Sequence, residues 1–184
     1  MARTISPDAS RGAACLARNL PQCLPCYSAA VLRISRALMD DLIAHALAVA
    51  PEEACGILVG RRRGVSSEVL CVVACRNVHE GSRRERFLLD PERQLAVQRE
   101  AREQGLEILG YYHSHLNGSA AMSAEDLRQA HPWVSNVILA FRGGAFVEAR
   151  SWRVNSRGGC EEEPLRITGV TAQPGSASSK PDGA

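Results

Sequence analysis

A chain of 184 residues, 45% hydrophobic and 23% charged, is long enough for one well-filled core and ordinary in composition for a globular protein. A net charge of +2, with arginines scattered rather than massed, argues against nucleic acid as a partner. No apolar run approaches the roughly 20 residues that cross a bilayer. The N-terminus also lacks the apolar stretch of a signal peptide. The expectation is therefore a cytoplasmic protein without a membrane partner. Seven cysteines, an odd number, read as free thiols in a reducing compartment rather than as a disulfide framework.

Residues 1–30 carry scattered Pro, Ser and Cys without periodicity. They read either as a disordered tail or as the product of a start assigned too early, with Val31 the true initiator. Cys23-Leu24-Pro25-Cys26 lies here and lacks both a second cysteine pair and a strand–helix context. A helix-like pattern begins at Val31-Leu32-Arg33-Ile34-Ser35. Residues 35–49 then set Leu38, Leu42, Ile43, Ala46 and Leu47 on one face, with Ser35 as N-cap. Residues 54–60 and 67–75 are strands, joined by a turn carrying Arg61, Arg62 and Arg63. A short strand over 86–89 precedes Asp90-Pro91, which opens a helix over 91–104 that Gly105 ends. Residues 106–113 form a strand and 124–131 a short helix. Two strands, 135–141 and 145–154, are joined at Arg142-Gly143-Gly144, and an edge strand follows at 163–168. Residues 169–184 are a Gly/Ser/Pro tail that cannot pack a core. The fold class is α/β, with a mixed, mainly antiparallel sheet flanked by helices over residues 31–168.

His113 and His115 stand two apart at the end of a strand. Alternation places both imidazoles on one face, within reach of a single ion, and turns Ser114 to the other. Asp126 offers a third, oxygen ligand, and two His plus a carboxylate with an open fourth position is a catalytic set. Ser123-Ala124-Glu125-Asp126 also reads as a helix start, with Ser123 as N-cap and Asp126 in the first turn. The two roles can coexist. Glu53 enters an apolar strand, so burial should raise its proton affinity and suit it to a general base. Glu52, one residue away, should face solvent. His131 lies about 140° from Asp126 around the short helix and should not share an ion. His45 and His79 read as surface residues, Cys55 as a small buried hydrophobe, and Trp133 and Trp152 as core or rim.

Glu53-Ala54-Cys55-Gly56, the apolar strand, Gly110-Tyr111-Tyr112-His113-Ser114-His115 and Ser123-x-x-Asp126 together resemble the JAMM (MPN+) metalloprotease motif. The Phe87–Pro91 segment before the middle helix agrees too, and the resemblance runs from about Val31 to Ile167, in the manner of small bacterial stand-alone members. It implies a JAMM/MPN-like fold with a cytidine-deaminase-like layout. It also implies one Zn²⁺ per chain on His113, His115 and Asp126, with Glu53 as base and Ser123 stabilising the oxyanion. The implied substrate is a ubiquitin-like or sulfur-carrier protein, cut at an extended Gly-rich C-terminus that would pair along a strand edge. The alternatives are a non-catalytic interaction module and a hydrolase of small peptides or cell-wall fragments; a homodimer is left open. The short link from Asp126 to the strand at 135 leaves little room for a substrate-gripping insertion. One departure is Leu116, where the family usually has Pro, which predicts a more mobile loop over 116–119.

Overall fold

The computed structural model describes residues 30–169. The expectations for the N-terminal segment, including Cys23 and Cys26, and for the tail after 169 therefore lie outside the described residues. Eleven elements follow in chain order: β1 (Val31–Ser35), α1 (Arg36–Val49), β2 (Cys55–Arg63), β3 (Ser66–Cys75), α2 (Pro91–Glu103), β4 (Glu107–His115), α3 (Ala124–Gln129), β5 (Ser135–Arg142), β6 (Ala145–Val154), β7 (Cys160–Glu163) and β8 (Leu165–Thr168). They form one eight-stranded sheet in the order β7-β6-β5-β4-β2-β3-β1-β8. Pairings β2–β3, β2–β4, β5–β6 and β6–β7 are antiparallel; β1–β3, β1–β8 and β4–β5 are parallel. The expected mixed sheet with flanking helices is therefore the fold. No helix among the described residues is long and apolar enough to cross a membrane.

The two faces are separated by alternation along the strands. On one, Leu58, Leu109, Tyr112, Val137, Leu139 and Phe141 meet Met39, Leu42 and Ala46 of α1. On the other, Cys55, Ile57, Val59 and Cys75 meet Val97 and Ala101 of α2. Each helix has the start its sequence announces. Ser35 Oγ accepts from the Leu38 amide at 3.2 Å, and the Asp90 carboxylate accepts from Glu92 at 3.0 Å, with Pro91 following. Gly105, at φ +66°, lets the chain leave α2 in the left-handed region.

The structure corrects several expectations. Val31–Ser35 is a strand, not the approach to a helix: Leu32 and Ile34 are buried while Arg33 is exposed, a period of two that five residues barely distinguish from helical spacing. Arg61, Arg62 and Arg63 belong to β2, whose turn is only Gly64-Val65, and Arg62 and Arg63 pair with Glu107 and Glu68. Residues 86–89 form no strand; a single bridge joins Leu89 to Asn77. The C-terminal edge strand is two, β7 and β8, on opposite edges of the sheet. On α1, Met39 is buried and Leu47 is 47% exposed. His45 is half-buried, its Nδ1 2.9 Å from the Tyr112 hydroxyl.

The parallel β4–β5 contact depends on a glycine. A Cβ on Gly110 would stand 2.0 Å from the Ser135 carbonyl oxygen, which belongs to backbone and cannot swing aside. Gly110→Ala should therefore lower the chemical-denaturation stability by about 1–3 kcal/mol through overpacking. An unchanged denaturation midpoint would mean that β4 and β5 do not approach this closely.

Candidate metal centre

His113 and His115 occupy the C-terminal end of β4 and are 3% and 7% exposed. The strand is central, with β2 on one side and β5 on the other. Cys55 opposes His113 across the antiparallel β2–β4 pair. One step further, Ser114 Oγ accepts from the Ala54 amide at 2.8 Å, and the Ser114 amide donates to the Ala54 carbonyl at 3.0 Å. Ser114 faces away from the imidazoles, as expected, and is fully buried.

Asp126 arrives from α3. Ser123 Oγ accepts from the Asp126 amide at 3.1 Å, while the Asp126 carboxylate accepts from the Ser123 amide at 2.7 Å. This capping box fixes the carboxylate at the helix start. The same carboxylate faces both rings: Oδ1 lies 3.2 Å from His113 Nε2 and Oδ2 lies 3.3 Å from His115 Nε2. The two Nε2 atoms are 2.9 Å apart. Cap and candidate ligand thus coexist in one residue.

The donor set fits a small divalent ion. Ligands about 2.0–2.2 Å from a tetrahedral centre stand roughly 3.3–3.5 Å from one another, close to the separations here. The three donors lie within 4.8 Å of one another and form the one such cluster of three or more among the described residues. Each imidazole is oriented from behind. Phe87 stacks on His113 with ring centroids 4.4 Å apart, and His115 Nδ1 lies 2.9 Å from the Ser119 carbonyl. A carbonyl only accepts, so this contact puts a proton on Nδ1 and leaves Nε2 as the ring atom that faces Asp126. Burial alone would push the Asp126 carboxyl up. The hydrogen bonds from His113 and His115 outweigh that and hold it well below the usual carboxylate range.

Glu53 is 6% exposed and precedes β2, beside the end of β4. Burial raises its carboxyl from 4.5 to about 7, opposed by His115 and assisted by Asp126 and Glu85. Glu52 points away and pairs with Arg83 at 3.7 Å. Its neighbour's backbone is held on both sides: the Glu53 amide donates to the Arg83 carbonyl at 2.7 Å, and Asn77 Nδ2 donates to the Glu53 carbonyl at 3.2 Å. Asn77 has no spacing signal in the sequence. Its partners are main-chain groups, which any residue supplies.

Beside the cluster opens an apolar cleft of about 310 Å³, walled by Phe87, Leu88, Leu89, Pro91, Met122 and Ala130, with His113 and Asp126 also in its lining. Tyr111 lies behind His113 on the same strand face and accepts from Gln94 at 2.9 Å. His131 sits against Tyr111 in this cleft, 5.4 Å between ring centroids, and is not among the three converging donors. Cys55 is fully buried under α2, and the four described cysteines are free.

Residues 35–155 match the family model of prokaryotic homologs of the JAB domain. The chain belongs to this family. It is 36% identical over 117 residues to a probable TtuB-protein conjugate cleaving protease of Thermus thermophilus, covering 64% of this chain and 75% of that protein. A desampylase of Haloferax volcanii is 29% identical over 119 residues, or 61% and 81% of the two chains. A solution structure from Desulfitobacterium hafniense superposes with a TM-score of 0.66 at 31% identity, over 75% of this chain and 93% of that one. One from Salinibacter ruber gives 0.59 at 28%, over 77% and 94%. Within this JAB fold the His-His-Asp cluster sits where β4 ends and α3 begins.

Burial of Glu53 has a measurable consequence for stability. The folded chain holds this proton up to pH of about 7, the unfolded chain only to about 4.5. Both states are protonated below pH 4.5, so the penalty is absent there; it grows between 4.5 and 7 and is complete above 7. Chelator-treated Glu53→Gln should gain stability on the wild type across that window, by up to about 3 kcal/mol. Thermal melts that differ by the same amount at pH 5 and pH 8 would place Glu53 in solvent.

Proposed function

We propose that this chain is a zinc-dependent metallopeptidase or isopeptidase that hydrolyses the bond at the C-terminus of a ubiquitin-like or sulfur-carrier protein. The observation that carries the reading is the convergence of His113, His115 and Asp126 in a buried corner with Glu53 beside them. The relatives named as a probable TtuB-protein conjugate cleaving protease and a desampylase support the substrate class.

His113, His115 and Asp126 would hold the ion. Zinc, which suits two imidazoles and a carboxylate with a position left open, would supply Lewis-acid polarisation of the scissile carbonyl and of water. Glu53 takes a proton from the attacking water as its oxygen adds to the carbonyl carbon. The hydroxyl of Ser123, whose oxygen accepts from the Asp126 amide, keeps its hydrogen to donate to the developing oxyanion. Glu53 then passes the proton to the leaving amine as the C–N bond breaks, giving an acid and an amine.

The apolar cleft that His113 and Asp126 help to line offers a trough for the residues flanking the scissile bond. Among the described residues β4 is flanked on both sides and the sheet edges are β7 and β8, so an extended tail would find no free edge on the strand that carries the histidines. The exposed, largely irregular segment 78–89, whose Phe87–Leu89 wall the cleft, is the backbone available beside the site.

Glu53→Gln should keep its zinc, measured by elemental analysis, and lose about 10²–10⁴-fold in hydrolysis of a carrier-protein fusion. Full activity in that variant would remove Glu53 as base. His115→Ala should lose tightly held zinc. A wild-type chain that cuts short peptides and leaves every carrier-protein fusion intact would overturn the substrate assignment while leaving the chemistry standing.

A further inference from the structure

The segment after His115 is contacted from several sides of the fold. Leu116 packs against the core under α1. Gly118 takes φ +80°, and the Arg142 guanidinium lies so close over it that a Cβ would meet Nε at 2.5 Å. Asn117 Oδ1 accepts from the Ser119 amide at 3.0 Å. Trp152 Nε1 donates to the carbonyl of Ala120 at 2.7 Å. Ser119 is thus held on its amide side by Asn117 and, one peptide unit later, by Trp152. Between those anchors its own carbonyl meets His115 Nδ1 at 2.9 Å.

We infer that Trp152 is a positioning residue for the metal centre: by fixing the Ala120 carbonyl it aims the Ser119 carbonyl at His115 and so sets the ring and tautomer of that ligand. Trp152 can do this because it is itself rigid. It lies on β6 opposite Asn136 of β5, and its ring packs with Ala120, Ile138 and Ala140. Ala120 is fully buried, so water does not replace the indole donor easily. The inference rests on His115 being a ligand.

The test is metal affinity in the full-length chain, read by competition with a chromophoric chelator, together with the visible spectrum of the cobalt(II) form and the melting temperature of the metal-free form. Trp152→Phe keeps the aromatic packing and removes the donor. It should bind zinc severalfold to about tenfold more weakly, the lower end of what disturbing an outer hydrogen bond to a ligand costs, and shift the cobalt band. Asn117 is exposed, so Asn117→Ala should fold and weaken binding in the same direction even if Trp152→Phe does not fold. Affinities within twofold of wild type and superimposable cobalt spectra, whatever happens to the melting temperature, would make Trp152 a packing residue only and overturn the inference. His115→Ala separates the two levels. Zinc held as tightly as in wild type there would sink the ligand assignment itself, whereas loss in His115→Ala with none in Trp152→Phe sinks only the role of Trp152.

Discussion

The register between β2 and β4 is the constraint on which the site depends. Side chains alternate along a strand, so a slip of one residue would turn both imidazoles from the α2 face to the α1 face and send Ser114 into their place. Three features oppose that slip. Ser114 and Ala54 exchange a side-chain and a main-chain hydrogen bond that exist only in this pairing. Gly56 leaves room for the Tyr112 ring, whose nearest atom would lie 2.4 Å from an added Cβ. Tyr112 in turn reaches His45 on α1, tying the strand to the helix behind it. The serine between the two histidines is therefore part of the register lock, and the face opposite the site determines which residues the site contains.

A second device joins the pieces that register alone would leave separate. The segment between β3 and α2 has little regular structure, yet it carries Phe87 against His113 and walls the cleft. Its anchor is the buried side chain of Asn77. Its amide nitrogen donates to the carbonyls of Glu53 and Arg86, and its oxygen accepts from the amides of His79 and Leu88. One side chain meets four main-chain groups, close to the full capacity of a carboxamide. The acid at the head of β2 and the aromatic wall of the cleft are thereby held to the same point, so displacing one displaces the other.

Most of the architecture was legible because it is written in periodicity and in end signals. Ser35, Asp90-Pro91 and Gly105 marked helix limits through local chemistry, and the alternating runs marked strands. Val31–Ser35 reads as a helical approach because five residues of alternating burial resemble one, and only pairing with β3 and β8 makes them a strand. The arginines of β2 read as a turn because the cross-strand partners that extend the strand, Glu107 above all, are not visible in local sequence. The converging His113, His115 and Asp126 could be seen in advance because ligand chemistry restricts residue type and spacing. Asn77 and Trp152 could not, since each acts on main-chain carbonyls 24 and 32 residues away, and a carbonyl leaves no trace in residue identity. The contacts of the loop at 116–119 are equally hidden from local sequence. They come from β5 and β6.

The electrostatics of the corner explain why it needs so much support. Asp126 is held ionised by its two histidines and by the start of α3, and Glu53 becomes a second anion above pH of about 7. The charges that act on Glu53 are His115, Asp126 and Glu85, with no arginine among them, because Arg83 is turned outward to Glu52. Two buried carboxylates with no cationic side chain but the histidines beside them leave negative charge poorly compensated, which in a poorly solvated pocket is expensive. A divalent cation on the three converging donors would cancel it and draw the Glu53 proton affinity back toward its ordinary range. Arginine at the same place would cancel one charge and fill the position a substrate must enter. An arrangement that buries acids without cationic side chains, and invests a capping box, a register lock and a carbonyl clamp in keeping them there, is costly as pure scaffold and coherent as a cradle for an ion.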